Sequence, residues 1–344
     1  MHNKSESIES GGPAQPATDQ RLHDIRLWLE SELEMSDYRM EVASADASFR
    51  RYFRLISEGR SWIIMDAPPD REDCAPFVRL ARLIEAAGVQ SPHIFRFNEA
   101  QGFMQLSDLG STAYLDKLNH ETVDSLYGDA IDTIIKMQGI QADLPDYDTE
   151  LLQNEMQLFS DWYLQTHLGL TLSSAQRAIL RNTFELLTDN ALQQPVVFVH
   201  RDYHSRNLMI TRDNNPGVID FQDAVNGPCS YDLVSLIKDC YIAWPRQKQL
   251  QWIQRYLELS ACETEPRTFI KQLDLMGMQR HLKATGIFAR LNHRDAKPGY
   301  LKDIPRTLAY VFDVCDRYAE LQDFSTMLMD MGISADKDTR QLIK

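Results

Sequence analysis

Positive charge is what this chain has least of. Its 36 Lys and Arg face 50 Asp and Glu, for a net charge of −14. A nucleic acid or an anionic membrane calls for a basic surface, so both are disfavoured as main partners. An anionic small molecule stays open, because a few local arginines or a bound metal ion can hold one. Cysteine is also sparse. Cys74, Cys229, Cys240, Cys262 and Cys315 are odd in number and scattered, so they give no disulfide framework or zinc ribbon. Free thiols of this kind fit a reducing cytoplasm. Long apolar runs are missing, and nothing approaches the ~20 residues of a membrane-spanning helix. The opening MHNKSESIESGGPAQPATDQ has no apolar core and so is no signal peptide. Its polar composition predicts a disordered tail over 1–20. These absences point to a cytoplasmic protein with no nucleic-acid and no membrane partner. They leave its oligomeric state open.

What is present is an ordinary core. The 344 residues are 43% hydrophobic, enough for two domains or one domain in two lobes. Leu22, Ile25, Leu29 and Leu33 recur at helical spacing. YRMEV, RYFRLIS and SWIIMD then read as three antiparallel strands, with Glu58-Gly59 as a break. A helix is predicted from Asp73 to Ala87, followed by strands HIFRFN and GFMQLS. Beyond Gly110 the pattern is mainly helical, with helices predicted over 121–138, 149–166, 173–188, 230–243, 247–259, 265–289 and 304–321. Only VFVHRDYHSRNLMI, with a strand-like piece at each end, and PGVID interrupt it. The expected fold is therefore α+β and bilobal, with a five-stranded antiparallel N-terminal lobe (21–110) and a mainly helical C-terminal lobe (111–344).

Chemistry is concentrated in VFVHRDYHSRNLMI. His200-Arg201-Asp202 with Asn207 fits the H-R-D-x-x-x-x-N loop of phosphoryl transfer. The spacing has a chemical reason. An acceptor hydroxyl must be oriented and relieved of its proton, which a carboxylate at Asp202 can do. A carboxamide five residues on, Asn207, can turn back as an oxygen ligand for Mg²⁺. A second oxygen ligand is expected on a strand just downstream, and GVIDFQD supplies Asp220. A hydrolase metal site on His200, Asp202 and His204 is the competing chemistry, but the remaining histidines offer no second spaced pair. His200 itself suits a backbone brace.

At these residues the chain resembles the aminoglycoside/choline phosphotransferase superfamily, small-molecule kinases with a protein-kinase-like fold. ASFRRYFRL (47–55), MDAPPDRE (65–72), FVHRDYHSRNLM (198–209) and VIDFQDAVNGPCSYDLVSLIKDCYIAWP (218–245) look most like its anomeric (C1) kinases of N-acetylmuramate and N-acetylglucosamine. The resemblance implies ATP and Mg²⁺ as cofactors, a sugar substrate, and a place in cytosolic peptidoglycan recycling. It makes Asp202 the catalytic base and Asn207 and Asp220 the metal ligands. By the same resemblance QLSD, from Gln105 to Asp108, is the hinge whose backbone grips adenine, and Asp232 ties a helix to the catalytic loop.

Two family features are missing. The turn ADASFRR has no glycine, although Ala47, Ser48 and Phe49 could still offer backbone N–H groups to phosphates. The usual phosphate-binding Lys on the third strand is replaced by Met65, and Arg50, Arg51 or Arg54 could supply its charge. Arg50 and Arg54 are the nucleotide candidates on one strand face. No helix Glu stands out as partner, since Glu72 precedes the predicted helix and Glu85 ends it. A polar sugar wants amide and hydroxyl partners, with an Arg for any carboxylate, so His204, Arg206, Gln222 and Asp223 are substrate candidates, along with Asn226 and Tyr231. A kinase for another small alcohol (aminoglycoside, choline or homoserine) or a nucleotide-binding scaffold without activity are the alternatives.

Overall fold

The computed structural model describes residues 19–45 and 49–344. Two compact units emerge: described residues up to Cys74 with Phe95–Ser107, and Ala75–Ile94 with Asp108–Lys344. In the first, α1 (Gln20–Ser31) is capped by the Asp19 carboxylate, which accepts from the Leu22 N–H. Strands β1 (Arg39–Ala45), β2 (Arg51–Ser57), β3 (Arg60–Asp66), β4 (Ile94–Asn98) and β5 (Phe103–Ser107) form one sheet in the order β1-β2-β3-β5-β4. The β2–β3 link is a two-residue turn in which Glu58 and Gly59 both have positive φ, 50° and 72°. That geometry matches the right-handed twist of the flanking strands and favours glycine at its second position. Alternation along β2 turns Phe53 and Leu55 inward to meet Ile25, Trp28 and Leu29 of α1.

The second unit begins with α2 (Ala75–Ala86), whose face of Phe77, Leu80, Ala81 and Ile84 is buried. Phe77 stacks on Phe221, with centroids 5.0 Å apart. Helices α3 (Val123–Gln138), α4 (Thr149–Leu158) and α5 (Ser174–Leu192) follow. The α5 helix opens with a reciprocal capping box between Ser173 and Gln176. Two small antiparallel ladders come next: β6 (Val196–Val199) pairs with β9 (Val225–Pro228), and β7 (Leu208–Met209) with β8 (Gly217–Val218). The rest is α6 (Tyr231–Ile237), α7 (Arg246–Leu259), α8 (Pro266–Asp295), α9 (Ile304–Arg317), α10 (Gln322–Asp330) and α11 (Lys337–Ile343). Among the described residues no helix is long and apolar enough to cross a membrane.

The 30-residue α8 is the axis of this unit, and its side chains are buried on several faces. It joins Met156, Phe159, Phe184, Leu308 and Phe312 in one apolar cluster. Gly286 lets α8 press against the Leu158 main chain, which a Cβ there would strike. At that crossing the predicted single helix over 149–166 changes form, and Phe159–His167 is π-helical. The helix predicted to run to Ala243 instead stops at Ile237. Lys238 leaves it for a buried ion pair with Asp274 at 2.7 Å, and Asp239 accepts from the Tyr241 N–H at 2.9 Å. Tertiary partners end this helix, not its own sequence pattern.

Candidate active site

The loop that leaves β6 at Val199 and enters β7 at Leu208 carries the chemistry. Pairing of β7 with β8 sets Asn207 beside the segment after Val218, and the Ile219 N–H donates to the Asn207 carbonyl at 3.1 Å. The Asn207 Nδ2 then donates to the Asp202 carbonyl and to Asp220 Oδ2, both at 3.0 Å. One carboxamide thus joins the three residues that the sequence singled out. Gln222 donates to Asp220 Oδ1 at 2.8 Å. Arg201 and Asp220 have φ of 75° and 68°. Such conformations cost a non-glycine residue of order 1–3 kcal/mol and gather at functional sites.

Buried groups hold this loop from below. His200 donates from Nε2 to the Ile219 carbonyl at 3.1 Å, while its Nδ1 accepts the Asp202 N–H at 3.2 Å. Burial pushes its pKa down to about 4, so the ring is neutral and can play both parts. Asp232, on α6, accepts the N–H groups of His200 and Arg201 at 2.8 and 3.1 Å. Burial lifts that carboxyl to about 7, against the pull of the two N–H groups. Asp239 accepts both the N–H and the hydroxyl of Ser205, at 2.9 and 2.5 Å. Tyr203 donates its hydroxyl to the Ala130 carbonyl at 2.9 Å.

Charge beside Asp202 comes from a buried cluster. Glu155 is paired with Arg201 and, at 2.8 Å, with Lys283. Tyr147 and Gln279 also donate to it. Burial alone would raise the Asp202 carboxyl. The positive fields of Lys283 and Arg280 oppose that, and the carboxyl is held below the ordinary carboxylate range. Asp202 is therefore ionised at neutral pH.

Oxygen donors suit Mg²⁺, which keeps waters and needs few protein ligands. Asn207 commits its amide nitrogen to Asp202 and Asp220, so its Oδ1 is the atom left for a hard cation, next to the Asp220 carboxylate. The residues present fit such an ion.

The other candidates divide by unit. Arg50 pairs with Glu72 at 3.0 Å, both side chains largely buried, and the Phe49 N–H donates to the same carboxylate at 3.3 Å. Glu72 is thus the acidic partner that sequence reasoning left unassigned; its only signal was its place just before the helix. Arg51 is committed to Asp66 and Asp19. Arg54 lies opposite Glu41 in the β1–β2 ladder, and Gln105 is buried opposite Ile64. Ala47 and Ser48 fall outside the described residues. In the second unit, the Asp108 carboxylate accepts the Gly110 N–H at 2.9 Å and shapes its own turn. His204 stands edge-on to Tyr241, Arg206 stacks on the same ring, and Asp223 is exposed. Asn226 spends its amide on the carbonyls of Ala142 and Leu144, and Tyr231 is fully buried. Trp244 packs against Tyr127 and Trp252 in the core. Glu155, Lys283 and Asp239 were not legible as site residues, because nothing local marks them. A depression of about 360 Å³ lined by Gln157, Gln165, Arg177, Arg181 and Phe184 does not include the triplet.

Comparison with known proteins shows the family and the fold. The model of the phosphotransferase enzyme family matches residues 39–268. The N-acetylmuramate/N-acetylglucosamine kinase of Pseudomonas putida is 43% identical over 337 residues, covering 93% of this chain and 99% of the relative. The kinase of the same name from Neisseria meningitidis is 39% identical, covering 91% and 96%. Among solved structures, an ADP-bound aminoglycoside phosphotransferase superposes with a TM-score of 0.57 at 14% identity, covering 85% of this chain and 98% of that one. The fold is protein-kinase-like, and the chain belongs to the phosphotransferase enzyme family.

Proposed function

We propose that this protein transfers the γ-phosphoryl group of ATP to the anomeric hydroxyl of N-acetylmuramate or N-acetylglucosamine. The observation that carries the reading is the Asn207 carboxamide, which joins the main chain at Asp202 to the Asp220 carboxylate. In this mechanism the ionised Asp202 carboxylate orients the sugar hydroxyl and accepts its proton. The new sugar O–P bond forms as the bond from the γ-phosphorus to the bridging oxygen breaks, and ADP carries that electron pair away. Asn207 Oδ1 and Asp220 would hold Mg²⁺, which neutralises charge on the phosphate oxygens when bound. Arg50, fixed by Glu72, is the cation offered for the phosphates in place of the missing Lys, and the backbone from Gln105 to Asp108 is the adenine contact. The acceptor is assigned from the two relatives named above, similar over nearly their full length.

A panel of acceptors tests this reading. With ATP and Mg²⁺, coupled ADP release is expected with the two amino sugars, and ³¹P NMR should show an anomeric phosphate. Release only with choline, an aminoglycoside or homoserine would move the protein to a sister activity. No release with any acceptor would leave a nucleotide-binding scaffold.

A further inference from the structure

Arg206 sits next to the proposed metal ligand Asn207, on the loop that carries Asp202. Its guanidinium lies 3.6 Å from the centroid of the Tyr241 ring and 5.8 Å from that of Tyr300. One carboxylate fixes this stack. Asp239 Oδ2 holds the backbone and hydroxyl of Ser205, while its Oδ1 holds the Tyr241 N–H at 2.9 Å. Loop and aromatic platform are thus locked in register. Phe288 backs both rings, with centroids 6.2 Å from Tyr241 and 5.8 Å from Tyr300.

The neighbouring cations are already engaged. Arg201 and Lys283 are paired with Glu155, and Arg280 points a nitrogen at Cys240 Sγ. Arg206 differs: among the described residues no carboxylate, carbonyl or hydroxyl accepts from it. It is half-buried, and one face of its guanidinium lies on the Tyr241 ring. A stacked guanidinium keeps its planar row of donors in place, and that row matches the two oxygens of a carboxylate.

We propose that Arg206, held on Tyr241 by Asp239, is the receptor for the carboxylate that N-acetylmuramate carries and N-acetylglucosamine lacks. The inference rests on the amino-sugar reading above. Arg206 then sets the preference between the two sugars and takes no part in proton or phosphoryl transfer.

The test is a ratio, so any general damage cancels. For wild type and Arg206→Gln, kcat/KM is measured with N-acetylmuramate, with its methyl ester and with N-acetylglucosamine. The wild-type enzyme should favour the acid over the ester by about 10- to 100-fold, the range for a charged hydrogen-bonded pair. Arg206→Gln should shrink that preference to near unity and lower the N-acetylmuramate to N-acetylglucosamine ratio by the same factor. The acid-to-ester comparison in wild type needs no variant, so it holds even if the variant folds poorly. Equal rates with acid and ester in wild type would overturn the proposal. So would a variant in which both sugars lose activity equally, as a contact to the shared nucleotide would produce. A wild-type enzyme that phosphorylates neither sugar would instead overturn the amino-sugar reading, and this inference with it.

Discussion

Two buried carboxylates in the helical unit are each gripped by two cations, and they serve different ends. Asp274 is paired with Lys238 at 2.7 Å and Arg246 at 2.8 Å and also accepts the Tyr318 hydroxyl, tying α8 to the segments around α6 and α7. Glu155 is paired with Arg201 and Lys283. Arg201 adjoins Asp202 in the chain, and the Lys283 charge acts on its carboxyl. The physics is the same in both places: burial raises each carboxyl, and the paired cations bring it down again. The difference lies in what the cations touch next. One network ends in helix packing and the other in the loop that carries the proposed base, Asp202.

The widest separation between them should appear in stability. Asp274→Ala leaves Lys238 and Arg246 buried without a counter-charge, a change that costs about 3–5 kcal/mol. Urea denaturation should show that loss, while turnover per folded molecule stays close to wild type. Glu155→Gln should cost less, about 3 kcal/mol at most, since Arg201 and Lys283 retain some exposure. Its turnover per folded molecule should nevertheless fall at least about ten-fold, about 1.4 kcal/mol of barrier. Equal effects of the two substitutions on turnover would erase the distinction.

Smaller effects sharpen the same contrast. Gly286→Ala drives a methyl group into the Leu158 backbone and should destabilise by about 1–3 kcal/mol, an overpacking cost, read as a lowered urea midpoint. A fully wild-type midpoint would mean that α8 is free to shift. The pH dependence should come in two stages. His200 and His281 are buried and neutral, with pKa values held below the ordinary histidine range, about 4 for His200. Their stabilising contribution is complete above about pH 6.5 and is lost as pH falls from there toward 4. Asp274, held down to about 2, contributes above about pH 4 and loses its contribution as pH falls through 2. Asp232, lifted to about 7, opposes this trend, so the midpoints are measured from pH 8 to 3 in an Asp232→Asn background, where they should decline first below 6.5. A flat profile down to pH 5 would contradict the neutral buried histidines.

Much of the frame was legible because its signals are local. The strands of the first sheet announce themselves by their β-branched and aromatic residues, and the Glu58-Gly59 turn by its residue types. HRD, Asn207 and Asp220 are tied by short spacings that a loop and a two-strand ladder convert directly into contacts. The ion pairs were not legible. Glu155 and Arg201 are 46 residues apart, and each reads as an ordinary charge in its own segment. The overlong α6 fails for the same reason, since Lys238 and Asp239 look helical until Asp274 and Ser205 draw them away. The π-helical stretch after Leu158 likewise begins where a distant helix presses in at Gly286. Departures at the nucleotide side, with Met65 for Lys and no glycine in the turn, were visible as absences. The pairing of Arg50 with Glu72 needed coordinates.

The central claim is that Asp202 takes the proton of the acceptor hydroxyl while Asn207 and Asp220 hold the ion. Asp202→Asn keeps the shape of the side chain and removes the base. Turnover with the preferred sugar should fall by at least about 10²-fold, the lower end for a positioned general base, while nucleotide affinity measured by calorimetry stays within about three-fold, a difference under 1 kcal/mol. Turnover close to wild type in that variant would contradict the account.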